Sequence, residues 1–561
     1  MSTIGNRTRA QESTAAIERM YITMRHLFNR GFYKPMGVSG ETLREALLQL
    51  RPEIYGSVAE QKTELHGLVY ILDRLPYGIE QCRYINLTSD EGYKNSGFKV
   101  IIPPKRRRNC YRIDEEQMNI EITRGRSDIY DILTHLTFLF IESHKIASRI
   151  YDEEDKTVLR DWQKLEEAVH KKKLTLTERE VALSHMSNIL GRTFEELKAA
   201  HKIFQTKEEP DRFLSLIYWL GKMGLSDLTQ GKKRTITFSP VLRERLGHHI
   251  HGEKWANRIK EELKNHHLLD RPLHIISANM HSVMNTIYAR KALGASVKDK
   301  NDLELYTLLS QPESDTLRSR VKAYAEKHGM ISVNDVSGAN IDVQLFDLKK
   351  IGDVEINPNF AASEEADIPV LFVMDYAFGE QAYETIDEFL KPFSEKDGVK
   401  HYMNIASVSI MGKAGILEGG KGDLMIPSAH IFEGTADNYP FINELCAADF
   451  KGHGLKVFEG TMITVLGTSL QNKDILKFFH DSTWNVIGLE MEGAHYQKAV
   501  QSASRIRKSI SKDVQVRYAY YASDNPLETG STLASGGLGI TGVKPTYLIT
   551  EKILDQILNN K

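Results

Sequence analysis

Residues 368–393 read IPVLFVMDYAFGEQAYETIDEFLKPF, and the fold turns on them. Ile368–Met374 is an unbroken apolar run, rich in branched and aromatic side chains and too short for a buried helix. That is the pattern of a strand covered on both faces, as in a parallel sheet. Asp375–Glu380 (DYAFGE) then gives a polar, glycine-containing turn. From Gln381 apolar residues return at three- and four-residue spacing, the period of a helix with one buried face. Strand, turn and helix in this order make one α/β unit. A similar unit begins after Pro272 in LHIISANMHSVMNTIYARKAL. From residue 368 to the end the order reads strand, helix, strand, loop, strand, helix, strand, helix. The sequence therefore predicts a three-layer α/β domain at the C-terminus, over residues 366–561. The charged stretch ASEEAD at 362–367 reads as a loop, and 241–365 as an α/β connecting segment.

Upstream the period changes. Helical spacing runs through residues 15–50 (AIERMYITMRHLF, then ETLREALLQL) and returns at 128–150, 159–170 and 177–204. Between these, within Arg83–Ile122, RYINL, FKVII and MNIEI are short β-type runs. They are separated by turn-formers and by Lys105-Arg106-Arg107-Arg108, a charge run expected in a solvated loop. Residues 1–240 thus read as a mainly helical domain with a small β insertion. The opening residues, MSTIGNRTRAQEST, lack the apolar stretch of a secretion signal and read as a polar tail.

The 561 residues are 41% hydrophobic and 26% charged with 16 prolines, the composition of packed domains. Lys and Arg number 73 against 75 Asp and Glu, a net charge of −2 that gives no footprint for general nucleic-acid binding. No apolar run is long enough to cross a bilayer. The three cysteines, Cys82, Cys110 and Cys446, are scattered and odd in number, which excludes a disulfide framework and points to a reducing cytoplasm.

Three stretches could carry chemistry. Ser407–Asp423 (SVSIMGKAGILEGGKGD) holds a β-type run ending in Met411-Gly412-Lys413-Ala414-Gly415, where glycines let backbone amides approach a ligand. It is not a Walker loop, because Lys413 lies between the glycines and no GK[ST] opens a helix. Trp484–Tyr496 (WNVIGLEMEGAHY) is a buried-strand run followed by Glu490-Met491-Glu492-Gly493. Carboxylates at a strand end are costly to desolvate without partners, and sugar hydroxyls are suitable ones. A solvated helix N-terminus would account for the same residues. Val516–Leu527 (VRYAYYASDNPL) ends a strand at Ala522 and follows it with Ser523-Asp524-Asn525-Pro526. That is the edge where open α/β sheets bind ligands, although an Asx turn has the same residues.

Weaker candidates have plainer readings. His248-His249-Ile250-His251 could bind a metal but reads as a solvated face. Asn279 and His281 follow the strand LHIIS, where a helix N-cap explains them.

A glycine-rich loop, a Glu-Met-Glu-Gly about 75 residues on and a Ser-Asp about 30 beyond that resemble the purine nucleoside phosphorylase and nucleosidase superfamily. Within it the chain is most similar to the AMP nucleosidases, in the short interval from DYAFGEQAYETI to IMGKAGIL and in YYASDNPL. The resemblance covers roughly residues 366–561. It implies a phosphorylase/nucleosidase-like α/β domain in which Asp524 is the general acid that protonates the purine at N7. It implies that Met491 and Glu492 hold the ribose, Glu492 accepting its 2′- and 3′-hydroxyls, with Glu490 the acidic residue just before them. Gly412 and Lys413 would lie on the loop beside the ribose and any phosphate. Gly467–Leu470 (GTSL), with Leu470, would pack against the base, and Gly379 and Glu380 would lie on the phosphate or nucleophile side. The phosphorolytic branch places arginines in two phosphate loops, and neither IMGKAG nor FGEQAYE contains one, which favours water as nucleophile.

These residue types suit the chemistry. Breaking an N-glycosidic bond passes through a ribosyl cation, and an acid at N7 neutralises the departing purine, a contribution of about 10²–10⁴ in rate. A carboxylate on the ribose hydroxyls can favour the cationic transition state over the neutral substrate. No metal or cofactor is needed. The expected activity is hydrolysis of a purine nucleotide or nucleoside to free base and ribose or ribose 5-phosphate. The rivals are phosphorolysis and a non-catalytic purine nucleotide sensor. The helical half would regulate the site, complete it or build a homo-oligomer, and a fragment beginning near Ile331 is expected to fold without it.

Overall fold

The computed structural model describes residues 8–171, 173–351, 368–395, 397–435, 437–528 and 538–558. The loop expected at 362–367 lies outside them. The chain divides into two compact units. One comprises residues 1–123, 128–247 and 469–475; the other comprises 124–127, 248–468 and 476–561.

The first unit is mainly helical. Its opening helix, α1 (Arg9–Arg30), begins inside the stretch expected to be a polar tail. Thr8 and Gln11 close a capping box at its start, and Gly31, in the left-handed region, ends it. Thr175 with Glu178, and Thr193 with Glu196, start the helices Leu176–Leu190 and Phe194–Phe204 in the same way. The β insertion belongs to a larger sheet than expected. Its strands are β1 (Phe32–Tyr33), β2 (Tyr84–Thr88), β3 (Val100–Ile101), β4 (Cys110–Arg112), β5 (Gln117–Glu121) and β6 (Thr235–Phe238), in the order β1-β6-β2-β5-β4-β3. A two-residue strand such as β1 has no period to read.

The basic run at 105–108 is a second correction. Arg108 is buried, its Nε donating to Asp128 Oδ1 at 2.8 Å. Arg106 forks onto Asp131 at 2.9 and 2.8 Å. Opposite charges twenty-odd residues away turn the expected solvated loop into an interior ion-pair cluster.

The second unit is built on one ten-stranded mixed sheet. In chain order its strands are β7 (Leu273–Ser277), β8 (Met330–Val333), β9 (Val343–Asp347), β10 (Val370–Met374), β11 (Ile405–Ile416), β12 (Leu424–Phe432), β13 (Asn438–Pro440), β14 (Val457–Thr464), β15 (Val486–Glu490) and β16 (Gln515–Asp524). The spatial order is β8-β9-β10-β7-β11-β15-β14-β12-β13, and β16 pairs with both β11 and β12. Strands β11, β15, β14, β12 and β16 therefore close a five-membered ring. Segment 248–351 supplies β7, β8 and β9, and β7 lies mid-sheet, parallel to β10 and to β11.

The apolar run at 368–374 is explained by two cores. Val370, Phe372 and Met374 enter a cluster with the helices Ile250–Asn265, Gln381–Phe389 and Gly493–Gln501. Leu371 and Val373 face the opposite way, into a cluster with Met280–Leu293, Asp315–Lys327 and Val543–Leu558. A strand with apolar groups on both faces needs a helix layer on each side, and the domain is the expected three-layer α/β structure. Among the described residues no helix is long and apolar enough to cross a membrane.

Candidate functional site

Strand register brings the three motifs together. The glycines expected in a loop lie instead inside β11, which runs to Ile416, so Gly412 pairs with Tyr520 and Lys413 with Tyr521. Serine, glycine and alanine neighbours concealed this, because Gly412 and Gly415 read as turn-formers. The loop comes after the strand, at residues 417–423. Near the end of β11, Gly415 pairs with Asp524 of β16 on one side and with Leu489 of β15 on the other. Asp524 and the Glu490–Gly493 turn therefore flank the same strand tip.

Strand β16 also runs further than expected, through Ser523 to Asp524. The register slips between Ala414 and Gly415, leaving Ser523 as an extra residue whose hydroxyl donates to Ala414 O at 3.1 Å. A bulge of this kind re-aims the next side chain. Asp524 is fully buried; its Oδ1 accepts from Ser523 Oγ, and Oδ2 has no hydrogen-bond partner among the described residues. Burial holds its carboxyl above the ordinary range, against the Ser523 hydroxyl and the charges of Lys413 and Lys421. Lys413 itself is exposed.

Glu490 and Glu492 have different surroundings. Glu490 is buried and engaged by the protein: Thr464 Oγ1 donates to one oxygen, and the amides of Glu492 and Gly493 donate to the other. Burial, then the charge of Glu492, pushes its carboxyl up to about 8. It braces the turn. Gly493 is required there, because a Cβ would lie 2.3 Å from the His430 ring. Glu492 is half-buried and accepts from the Gly379 amide at 2.9 Å. Burial pushes its carboxyl up to about 7, against that amide and the charge of Arg124. Gly379 has φ +54°, and a Cβ on it would meet Ser127 Oγ at 2.4 Å. Met491 is also half-buried, with its carbonyl oxygen 3.9 Å from the same point. The 379–380 turn thus joins the other three motifs.

Leu470 is buried. Residues 469–475 count with the first unit, where Asn472 donates to Leu50 O at 2.7 Å and Glu53 N to Gln471 O at 2.9 Å. Among the other candidates, Asn279 caps the helix Met280–Leu293, its side chain accepting from His281 N at 3.0 Å. His251 is buried rather than solvated, Nδ1 lying 2.8 Å from Ser337 O. No metal-holding group of His, Cys, Asp and Glu occurs among the described residues. A cleft of about 830 Å³ lined by Lys260, Glu388 and Lys391 holds none of the motif residues.

The sequence matches a family of unknown function, DUF6909, over residues 41–298 and 303–559. The chain belongs to that family. No curated protein matches it. Among solved structures it is similar to 5′-methylthioadenosine/S-adenosyl homocysteine nucleosidase of Campylobacter jejuni, at TM-score 0.31 and 11% identity, over 52% of this chain and 99% of that one. It is similar to futalosine hydrolase of Helicobacter pylori with the same four figures. It is also similar to uridine phosphorylase isoform 2 of Schistosoma mansoni, at TM-score 0.30 and 11% identity, over 55% of this chain and 90% of that one.

One group of residues in this DUF6909 chain escaped sequence reading altogether. Residues 124–127 count with the second unit. Glu380 N donates to Ser127 Oγ at 2.8 Å, and Arg126 Nη1 lies 3.3 Å from Glu380 Oε1. The Arg124 guanidinium stands 4.8 Å from the Phe378 ring centre. Nothing in RGRS at 124–127 distinguishes it from an ordinary helix start.

Proposed function

We propose that this chain hydrolyses the N-glycosidic bond of a purine nucleotide or nucleoside, releasing free base and ribose or ribose 5-phosphate. The observation that carries the reading is the register at Gly415, which sets Asp524 and the Glu490–Glu492 turn on either side of one strand tip. Asp524, whose carboxyl burial raises in the direction an acid catalyst needs, gives a proton to the purine N7 as the base leaves. Glu492 accepts the ribose hydroxyls and favours the cationic sugar of the transition state. Glu490 does not touch substrate in this reading; it holds the turn that presents Met491 and Glu492. Glu380 faces the nucleophile side, and Lys413 tempers the charge that Asp524 acquires. The motifs resemble those of the AMP nucleosidases, which makes a 5′-phosphorylated purine the first substrate to try. A homo-oligomer in the cytoplasm belongs to the same reading.

Phosphorolysis is the second reading, and Arg126 beside Glu380 favours it. The loops IMGKAG and FGEQAYE lack arginine, which favours water, yet Arg126 of residues 124–127 lies against Glu380. Chromatography of base released from a purine nucleotide and nucleoside panel, with and without inorganic phosphate, tests both. Release without phosphate supports hydrolysis, strict dependence with ribose 1-phosphate as product supports phosphorolysis, and no release from any purine rejects both.

A further inference from the structure

A second cavity, of about 400 Å³, lies in the second unit and is lined from the helices Met280–Leu293, Asp302–Leu309 and Val543–Leu558. None of the motif residues takes part in it. Ile287, Leu305 and Leu554 give it apolar walls, and its size is that of a small-molecule site. Asn285, only 3% exposed, is among the lining residues. Its Nδ2 donates to the Tyr547 hydroxyl at 2.7 Å, and Tyr547 stacks on Tyr306 with ring centres 3.8 Å apart. Asn285 Oδ1 has no hydrogen-bond partner among the described residues. A buried acceptor without a donor is costly, so the cavity favours an occupant that brings an N–H or O–H.

The protein's own donors in this lining are engaged elsewhere. Thr286 Oγ1 donates to Ser282 O at 2.8 Å, and the Tyr306 hydroxyl to Glu551 Oε1 at 3.4 Å. Arg290 gives Nε to Asp302 Oδ1 at 2.7 Å and Nη2 to Lys300 O at 3.0 Å. Lys291 is exposed. Glu551 and Asp555 stand four residues apart on one helix, where like charges repel. Burial raises the Glu551 carboxyl above its ordinary range, the charges of Asp302 and Asp555 add to this, and Tyr306 and Lys552 offset only part. An ammonium group answers both features, because it brings positive charge to Glu551 and N–H donors to Asn285.

We propose that this cavity binds a small aliphatic amine in its ammonium form, Asn285 Oδ1 accepting an N–H and Glu551 supplying the countercharge. The site stands apart from the N-glycosidase reading and is tested without any activity assay. The full chain is titrated calorimetrically with n-butylamine, and thermal shift is read in parallel. Wild type should bind and be stabilised. Tetramethylammonium carries the charge without an N–H, and butyrate carries the opposite charge; each should bind about tenfold more weakly or less. Glu551→Gln removes the countercharge from a half-buried position and should lose about tenfold or more in amine affinity. Asn285→Leu should lose a similar factor, whereas Asn285→Asp keeps the acceptor and should bind at least as tightly as wild type.

Each variant is first melted without ligand, and Glu551→Gln carries the test should either Asn285 variant fail to fold. Absence of binding by wild type at millimolar n-butylamine overturns the proposal, as does equal affinity for tetramethylammonium. Amine affinity unchanged in Glu551→Gln overturns it as well. Weakened binding by a folded Asn285→Asp would show that the amide N–H side faces the cavity, and tighter binding of butyrate would assign the cavity to an anion on Lys291; either result rejects the amine.

Discussion

Replacing Asp524 with Asn tests the proposed acid most directly. The side chain is fully buried, and its one bond, from Ser523 Oγ to Oδ1, can be kept by the Asn oxygen. Oδ2 has no partner among the described residues, so no ion pair is broken. The substitution should therefore cost within about 1 kcal/mol of stability, the scale of one neutral hydrogen bond. Asn can still donate a hydrogen bond to a purine N7, so ground-state affinity should hardly move. It cannot transfer a proton, and turnover should fall roughly 10²-fold or more, about 2.7 kcal/mol of transition-state stabilisation. The pH profile adds a second readout. Burial raises this carboxyl, so wild-type turnover should decline as pH rises through the raised value, and the Asn variant should lack that limb. The assay is base release across pH, paired with ligand affinity by calorimetry. A variant with near-wild-type turnover and unchanged melting would refute the mechanism, since Asn serves an Asx turn as well as Asp does.

Glu492→Gln should cost turnover on ribosides by about 10²-fold, while wild type discriminates against 2′-deoxy substrates; equal rates on ribo- and deoxyribonucleosides would remove Glu492 from the sugar. Because its carboxyl is pushed up to about 7 and must be ionised to accept two hydroxyls, wild-type kcat/KM should rise with pH through about 7, a limb missing from the Gln variant. Glu384 is raised from an ordinary carboxylate value to about 8, so the folded state holds its proton more tightly than the unfolded chain. Its stabilising share is complete at low pH and is lost as pH rises toward 8, so Glu384→Gln should melt above wild type at pH 8 with the gap closing by pH 5; a pH-independent gap refutes this. A fragment beginning at Ile331 lacks β7, the strand between β10 and β11, and should not melt cooperatively, contrary to the sequence-based expectation. A sharp calorimetric transition for that fragment would show the mid-sheet strand to be dispensable.

Much of the sheet was legible because burial on both faces leaves a distinctive run. Ile368–Met374, the strand in NVIGL and the strand in VRYAYYA all read correctly for that reason. The glycine-rich segment did not: Gly412 and Gly415 signal a turn locally, and only pairing with β16 keeps them extended. Leu470 counts with the first unit, and a buried leucine near a strand end gives no indication of which unit claims it. The charge run at 105–108 differs from its local reading for a similar reason, since its partners Asp128 and Asp131 lie twenty-odd residues away on another element. Arg124 and Arg126 could not have been found, since what places them is a backbone fit between Gly125, Ser127 and the 379–384 segment. Local pattern reports which residues are buried, whereas register and distant partners decide which of them meet.

The ring of β11, β15, β14, β12 and β16 has a consequence for how the molecule breathes. Its sheet ends in two very short edge strands, four residues at Met330–Val333 and three at Asn438–Pro440. Such edges offer little template to another chain. The strands carrying Asp524 and Glu490 each have a ladder on both sides, so neither can peel away singly. Their central amides exchange with solvent only when the ring opens as a cooperative whole, while the edge strands exchange by local fraying. The ladders of the ring thus fix the backbone at Asp524 and at Glu490 relative to each other.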